Sequence, residues 1–371
     1  MDKKKAGLPV ALAVACVWMG QNVGPGFASG TMTAGFFVRF GLIGLITPFI
    51  ATGVLALAFY CVVEYTRKYN LHSYTEYADS FYHPYGKAFM VLFDISFLLV
   101  VICAVGAGLA SVGSLFTRFF GINRWYAIAG LVIVTILLCL FGSELVRRAS
   151  SYMMFVIGGI FLLIIILSFA FGDYDFSKSA QLSVEATTAS TILTAIWKGF
   201  LFGCSQAGIL LTISAVSDTV ANPKESKKAA IIGWLGNSIL IVAMFILLFG
   251  YTGVYDIVGE ELPVYSILER IGFPWLTFIY MLVVVLAVVS SAVSITFAGV
   301  VRFKKYVKVG NDRTKSTIIA VILLVAAVAA STLGLKALAV KGNSIVGYVN
   351  IPCMVLPAIF LGFYKLKNNK K

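Results

Sequence analysis

The sequence predicts an all-α polytopic membrane protein whose chain crosses the bilayer ten times. Of its 371 residues, 60% are hydrophobic and only 12% are charged, whereas a soluble domain carries about 25% charged residues. The apolar residues form runs close to the roughly 20 residues that one membrane-spanning helix needs. The mean hydropathy of +0.95 indicates more apolar surface than a soluble core could bury, so lipid is the expected solvent.

Ten apolar runs mark the predicted spans, which we number 1 to 10 in chain order. They cover residues 9–40, 41–66, 86–117, 124–141, 149–172, 191–220, 229–255, 273–301, 316–333 and 344–364. Spans 1 and 6 contain interruptions rich in glycine. We interpret residues 1–371 as a single transmembrane domain made of two five-span halves, at about 7–172 and 190–364.

The basic residues predict the orientation of the chain. If the spans alternate, 21 of the 29 Lys and Arg residues lie on the side of the N-terminus, and loops rich in these residues face the cytoplasm. Both termini are therefore expected to be cytoplasmic. The first half then starts inside and the second outside, which defines an inverted repeat. The net charge of +13 belongs to these loops, so we expect no nucleic-acid partner.

Two loops are long enough to hold structure of their own. The polar, Tyr-rich stretch 67–87 predicts a short surface helix. In the stretch 256–272, Val264, Ile267 and Leu268 recur at helical spacing, which predicts an amphipathic extracellular helix packed over the bundle as a lid. A solvated connector is the alternative interpretation.

Span 1 should open near its middle, at Gly24, Pro25 and Gly26. Proline has no N–H and clashes with the carbonyl four residues earlier, which costs about 3 kcal/mol inside a helix. Opened backbone at this depth is tolerated only where it faces protein or a water-filled cavity. The alternative is a simple proline kink with small residues for close packing.

Span 6 carries a weaker interruption, because glycines flank polar residues there without a proline. Paired interruptions in the first span of two inverted halves are typical of a transporter binding site. Half-helix N-termini attract a carboxylate, and freed carbonyls attract a cation. The predicted solute-binding residues are Val23, Gly24, Pro25, Gly26, Gly203, Ser205 and Gln206.

The stretch 24–30, Gly-Pro-Gly-Phe-Ala-Ser-Gly, together with 36–41, Phe-Phe-Val-Arg-Phe-Gly, resembles the YkvI-type bacterial membrane proteins. These belong to the amino acid–polyamine–organocation superfamily, which has the five-plus-five inverted repeat of LeuT. The chain departs from that pattern at Pro25, where a small residue is usual, and at Thr31-Met32, where Gln-Glu is common.

The same resemblance implies a sodium site. Its ligands would be the backbone carbonyls of Gly20, Val23 and Ala287 and the hydroxyls of Ser290 and Ser291. Without the resemblance, two adjacent serines in an apolar helix more often bond to their own helix or to a neighbouring one.

Polar residues inside the other spans are few, and burying them in lipid is costly. Asp94 lies about two turns into span 3, where it is a candidate proton carrier or inner gate; an interfacial residue bonded to a loop is the alternative. Asn237 and Asn350 lie in the middle of spans 7 and 10, and we expect both to form interhelical hydrogen bonds.

These features favour a secondary active transporter, an ion-coupled symporter of a small organic solute. We expect an amino acid or related zwitterion as the solute and Na⁺ or H⁺ as the coupling ion. A solute-sensing receptor or signalling subunit with the same fold is the alternative. The expected location is the bacterial cytoplasmic membrane, and the sequence leaves the oligomeric state open.

An enzyme is not expected, because the sequence contains no His-Glu-x-x-His, Gly-x-Ser-x-Gly or phosphate-loop motif. The cysteines lie in apolar runs without a Cys-x-x-Cys pair, so neither a metal site nor a cofactor is predicted.

Overall fold

The computed structural model describes residues 9–141, 158–213 and 220–368, and the regular structure in these ranges is helical. In chain order the helices are α1 Val10–Asn22, α2 Pro25–Ala28, α3 Thr31–Phe36, α4 Thr47–Tyr69, α5 Tyr74–Phe81, α6 Gly86–Phe120, α7 Arg124–Phe141, α8 Gly158–Phe171, α9 Phe176–Ala186, α10 Ala189–Thr212, α11 Pro223–Phe249, α12 Pro263–Ile271, α13 Pro274–Phe303, α14 Asp312–Ser331 and α15 Ala337–Asn368. The predicted parts of spans 5 and 6 at 149–157 and 214–219, and the basic residues of the N-terminus, lie outside the described residues.

Among the described residues, seven helices are long and apolar enough to cross a membrane: α4, α6, α10, α11, α13, α14 and α15. Helices α8 and α9 meet at an angle of 96° and would make an eighth span if counted together. Helices α1 and α7 are apolar but shorter. The multi-pass, all-helical character is therefore confirmed, whereas the count of ten and the inverted repeat stay predictions.

Several predicted boundaries were wrong, because hydropathy assigns polar capping residues to loops. Helix α11 begins at Pro223, six residues before the predicted start of span 7. The side chain of Asn222 caps it by accepting the N–H of Glu225 at 3.1 Å. Helix α14 likewise begins before the predicted residue 316, where Asn311 accepts the N–H of Thr314 at 2.9 Å. Such caps satisfy amides that a helix start leaves unpaired.

Two other spans begin at residues that differ from the predicted ones, for different reasons. A 3₁₀ segment, Val38–Leu45, with Gly41 at a φ of 69°, delays α4 until Thr47. Helix α15 begins at Ala337, before the predicted residue 344, and its first turn is a π-helix over Ala337–Gly342. The single Lys341 in that turn looked like a loop residue in the sequence.

The connecting segments contain three short helices. Helix α5 confirms the surface helix predicted within 67–87. Helix α12 confirms the amphipathic helix within 256–272, and its residues Val264, Ile267 and Leu268 are buried, so the solvated-connector interpretation was wrong. Helix α9 was not predicted; the side chain of Asp175 caps it by accepting the N–H of Lys178 at 2.8 Å.

The spans pack in two groups, one of α1, α4, α10, α11 and α15 and one of α6, α7, α13 and α14. Glycines bring the helices of the first group close together. A Cβ on Gly203 of α10 would strike the backbone of Ala51 in α4, and one on Gly347 of α15 would lie 2.6 Å from the carbonyl oxygen of Leu201. Helix α10 is therefore held between α4 and α15 by direct backbone contact.

Substituting Gly203 with alanine should destabilise the fold, because the added methyl group meets the backbone of α4. Overpacking of this kind typically costs about 1–3 kcal/mol. Gly208→Ala is the matched control on the same helix, since a Cβ there meets nothing within 4 Å. We expect the apparent melting temperature in detergent to fall for G203A and to hold or rise for G208A. Equal melting temperatures for the two variants would contradict this packing.

Candidate functional site

Span 1 opens where the sequence predicts. Helix α1 ends at Asn22, Val23 has a φ of −81° and a ψ of 59°, and Gly24 is extended. Pro25 then starts α2, a position at which its missing N–H costs nothing. A second interruption separates α2 from α3 at Gly30, which has a left-handed φ of 81°. The simple-kink interpretation was therefore wrong.

Side chains of other spans hold both ends of this opened segment. The Asn22 side-chain amide donates to Oδ1 of Asn237 in α11 at 2.6 Å. The Tyr280 hydroxyl of α13 donates to the Ala28 carbonyl oxygen at 3.1 Å. In lipid, a backbone group freed from its helix needs such a partner. The opened segment is thus tied to one helix of each packing group.

The C-terminal end of the opened segment is bonded to residues 256–272, which we call the lid. The Val264 N–H donates to the Ser29 carbonyl at 3.2 Å, and the Thr31 hydroxyl donates to the Glu261 carbonyl at 2.8 Å. The Glu261 carboxylate accepts a bond from Ser114 of α6 at 3.2 Å. The lid is therefore bonded both to span 1 and to α6.

A second carboxylate of the lid, Glu260, accepts hydrogen bonds from three side chains. Arg118 donates to it at 3.1 Å, Ser266 at 2.9 Å, and Tyr255 through a short bond. Partial burial by itself raises the pKa of Glu260, but these hydrogen bonds outweigh it and the net pKa is lowered. Glu260 is therefore held as a carboxylate facing Arg118.

Span 6 differs from the prediction of a discontinuous helix. Helix α10 remains α-helical to Ser205, tightens into a single 3₁₀ turn over Gln206–Gly208, and continues from Ile209. Each glycine costs only about 1 kcal/mol in a helix, and without a proline the backbone keeps its hydrogen bonds. The helix is tightened rather than opened.

The predicted solute-binding side chains of α10 have local partners. Gly203 faces α4 rather than the opened segment. The Ser205 hydroxyl donates to the Phe202 carbonyl of its own helix at 2.7 Å, and the Gln206 amide donates to Ser205 at 3.3 Å. Only Gln206 of these three is half-exposed, which leaves its amide group accessible.

A buried amide beside this turn joins three helices. The side chain of Asn350 in α15 donates to the Cys204 carbonyl oxygen at 3.0 Å and accepts from the Ser96 hydroxyl of α6 at 2.6 Å. Asn350 is fully buried. The interhelical hydrogen bonds predicted for Asn237 and Asn350 are both confirmed.

Helix α10 runs beside span 1 on both sides of the opening. The Phe202 ring lies 5.3 Å from the ring of Phe36 and 5.0 Å from that of Phe37, both beyond the opening. On the other side, the segment Ile209–Ile213 contacts α1. The 3₁₀ turn of α10 therefore lies along span 1 between α1 and Phe36.

Helix α13 also approaches the opening. A Cβ placed on Gly108 of α6 would lie 3.1 Å from Pro25 Cγ and 2.9 Å from Val288 Cγ1, so α2 and the middle of α13 meet at this glycine. Ala287 is buried, and Ser290 and Ser291 are half-buried. The sodium ligand set of Gly20, Val23, Ala287, Ser290 and Ser291 lies in this region and stays a prediction.

Asp94 forms an ion pair with the Nε of Arg302 in the last turn of α13. The Arg302 guanidinium also lies 4.1 Å from the centre of the Tyr74 ring, and its side chain is only 7% exposed. The carboxylate therefore binds the last turn of α13, one residue beyond the predicted end of span 8 at residue 301, which is compatible with an interfacial residue bonded to a loop. Its role as a proton carrier or gate stays a prediction.

A cavity of about 250 Å³ adjoins the opening. It lies between Val23 and Phe27 of span 1 and helices α8 and α11, and no residue of α10 lines it. The sequence predicts a ligand site between spans 1 and 6, so this cavity was not predicted. The lining is apolar, with Phe161 and Ile165 on α8 and Leu240 and Met244 on α11.

Three residues that hold the site together were missed in the sequence. Tyr280 and Glu261 bond the opened segment, and Arg302 pairs with Asp94. A hydroxyl in an apolar span needs an acceptor when it is buried, and a buried carboxylate needs a cation. Those two signals could have singled out Tyr280 and Arg302.

No protein-family profile matches the chain, and no curated protein is significantly similar to it in sequence. Solved structures match its fold. A Na⁺-coupled sialic acid symporter in a substrate-bound outward-open state is 18% identical, with a TM-score of 0.63, covering 95% of this chain and 79% of the symporter. MhsT in complex with L-phenylalanine is 16% identical, with a TM-score of 0.58 and coverage of 98% and 97%.

The inward-facing conformation of Mhp1 is 13% identical, with a TM-score of 0.53 and coverage of 96% and 91%. The fold of this chain is therefore that of the LeuT-type transporters. The similar solved structures are membrane transporters and not enzymes, which agrees with the expectation from the sequence.

Replacing Asp94 with asparagine should destabilise the protein strongly, because it leaves the nearly buried Arg302 charge without its partner. Such a loss typically costs about 3–5 kcal/mol. The double variant Asp94→Asn/Arg302→Met should recover much of the melting temperature, since no charge then remains buried. If D94N alone melts like the wild type, the ion pair is not a structural tie between α6 and α13.

The stability of the lid should fall in acid. The lowered pKa of Glu260 means that the folded protein gains stability above the ordinary carboxyl pKa of 4.5 and loses it as the pH falls through the lower folded value. Thermal melting from pH 7 downward should show a steeper loss for the wild type than for Glu260→Gln. The control is Glu269→Gln, because Glu269 is exposed on the same lid; this variant should retain the wild-type slope. Parallel slopes for E260Q and wild type would show that Glu260 does not cause the loss of stability in acid.

Proposed function

We propose that the protein is a secondary active transporter that carries a small organic solute across the membrane together with Na⁺ or H⁺. The observation that carries the proposal is the opening of span 1 at Val23 and Gly24, beside the 3₁₀ turn of α10. A helix opened in mid-membrane exposes peptide groups that can bind a solute. Transporters of this fold, including a Na⁺-coupled symporter, support the same function.

The chemistry of the two segments favours a zwitterion. Neither 20–31 nor 202–208 contains a charged residue, so peptide dipoles and neutral polar side chains must supply the recognition. The amides of Gly24 and Gly26 suit a carboxylate, because the first N–H groups of a helix have no acceptor within it. The Gln206 amide suits a polar group, and the complex of MhsT with L-phenylalanine supports an amino acid as the solute.

The coupling ion would bind on the α13 side of the opening. Carbonyls of Gly20, Val23 and Ala287 with the hydroxyls of Ser290 and Ser291 would form an uncharged oxygen site suited to Na⁺. If protons drive transport instead, Asp94 is the intramembrane carboxylate that we propose to carry them. The Na⁺-coupled symporter among the similar structures favours the sodium site.

The proposal includes the finer features that the sequence predicts. These are ten spans in two inverted halves, membership of the YkvI-type family, both termini in the cytoplasm and a bacterial cytoplasmic membrane. A LeuT-type fold and seven long apolar helices support this layout.

The direct test is uptake by the purified protein in liposomes, with labelled amino acids and with or without an inward Na⁺ or proton gradient. Gradient-driven uptake of an amino acid supports the proposal. Saturable binding without uptake under any gradient would instead indicate a solute-sensing receptor subunit. Neither binding nor uptake of any amino acid would refute the amino-acid assignment.

Substituting Gly24 with alanine should weaken solute binding without harming the fold. A Cβ there meets nothing within 4 Å, and the φ of −94° suits alanine. The methyl group would lie in the opened segment itself, and we expect the half-saturating concentration to rise about tenfold, equivalent to about 1.4 kcal/mol. Gly130→Ala on α7, where a Cβ also meets nothing within 4 Å, is the control and should leave it unchanged; the same value for G24A and G130A would exclude Gly24 from the site.

A further inference from the structure

The cavity beside the opened segment has a lining that suits one kind of guest. Its ten lining residues are apolar or glycine, and it reaches Val23 and Phe27 at the opening of span 1. Water needs two or more polar partners to occupy such a space. A charged or strongly polar solute group would lose its hydration there without gaining a hydrogen bond. The cavity therefore fits hydrocarbon.

The position of the cavity shows where that hydrocarbon comes from. Its walls are the flanks of α8 and α11. On α8, Phe161 points inward and is 8% exposed, whereas its neighbour Leu162 is 59% exposed. On α11, Met244 is buried while Ile239 is exposed. The mouth is thus continuous with the apolar outer surface that faces the bilayer.

The gap between α8 and α11 is closed toward one end. Tyr174, just beyond α8, donates its hydroxyl hydrogen to the Ile246 carbonyl of α11 at 2.9 Å. A Cβ on Gly250 would strike the Tyr174 ring, so the ring packs tightly against α11 there. The gap between α8 and α11 remains open at the level of Phe27. Phe27 lies in the middle of span 1, where a bilayer is hydrocarbon rather than headgroup.

We propose that the acyl chain of a membrane lipid enters between α8 and α11 and lies against Val23 and Phe27. The occupant is held by apolar contact alone, so the site selects for chain shape rather than for a headgroup. An acyl chain that binds only this arrangement of α1 and α2 stabilises it over any other. The bilayer thereby acts directly on the segment where span 1 opens. This inference stands without the proposed solute.

The test is photolabelling of the full chain in phosphatidylcholine liposomes that contain a lipid with a diazirine in its acyl chain. After irradiation, adducts are mapped by mass spectrometry of peptides. We expect adducts on Phe27 and Met244, which are 7% and 2% exposed and out of reach of lipid on the outer surface. Phe245, fully buried in the core, sets the background for the method.

Ala243→Phe fills the cavity from α11 and should reduce labelling of Phe27 and Met244 to the background of Phe245. Labelling of the exposed Ile239 should persist. Leu235→Phe, on the exposed face of the same helix, is the matched control and should leave all adducts in place. Gel filtration of each variant checks that it is folded.

Two results would overturn the proposal. In the first, Phe27 and Met244 of the wild-type protein are labelled no more than Phe245. In the second, a water-soluble amino acid prevents their labelling while Ile239 is still labelled, which would assign the cavity to the apolar part of a solute. Because labelling requires no transport, failure of uptake in liposomes leaves this test intact.

Discussion

A peptide group that loses its helical partner inside a bilayer must find another, and this requirement organises the structure. Pro25 makes the loss unavoidable in the middle of span 1. The Tyr280 hydroxyl and the Val264 N–H then supply partners to the peptide carbonyls of Ala28 and Ser29. The side chains of Asn22 and Thr31 add bonds to Asn237 and to the Glu261 carbonyl. The segment remains open because its neighbours hold it so.

The sequence predicted the features that depend on local chemistry. Proline and glycine determine backbone geometry where they stand, so the opening at Val23 and Gly24 followed from residues 24–26 alone. The apolar spacing of Val264, Ile267 and Leu268 predicted α12 for the same reason. Helix capping is a local signal that hydropathy does not detect. Asn222 and Asn311 cap helices whose first residues are polar, so the sequence assigned those residues to loops.

Features that depend on tertiary contacts were beyond the sequence. Gly203 and Gly208 look equivalent in an apolar run, yet one touches the backbone of α4 and the other faces open space. The sequence therefore predicts an interruption in span 6, weaker than that of span 1, where the structure has only a 3₁₀ turn. The pairing of Asp94 with Arg302, more than 200 residues apart, and the cavity toward α8 likewise depend on how the spans are arranged.

The two glycine contacts of α10 constrain how the molecule can move. Backbone lies directly against backbone at Gly203 with α4 and at Gly347 with α15, and such surfaces leave no side-chain layer that could slide or repack. Any relative motion of the spans is therefore least accommodated at these two contacts, which join α4, α10 and α15. The joints of that motion then fall outside this trio, at segments such as the opened backbone of span 1.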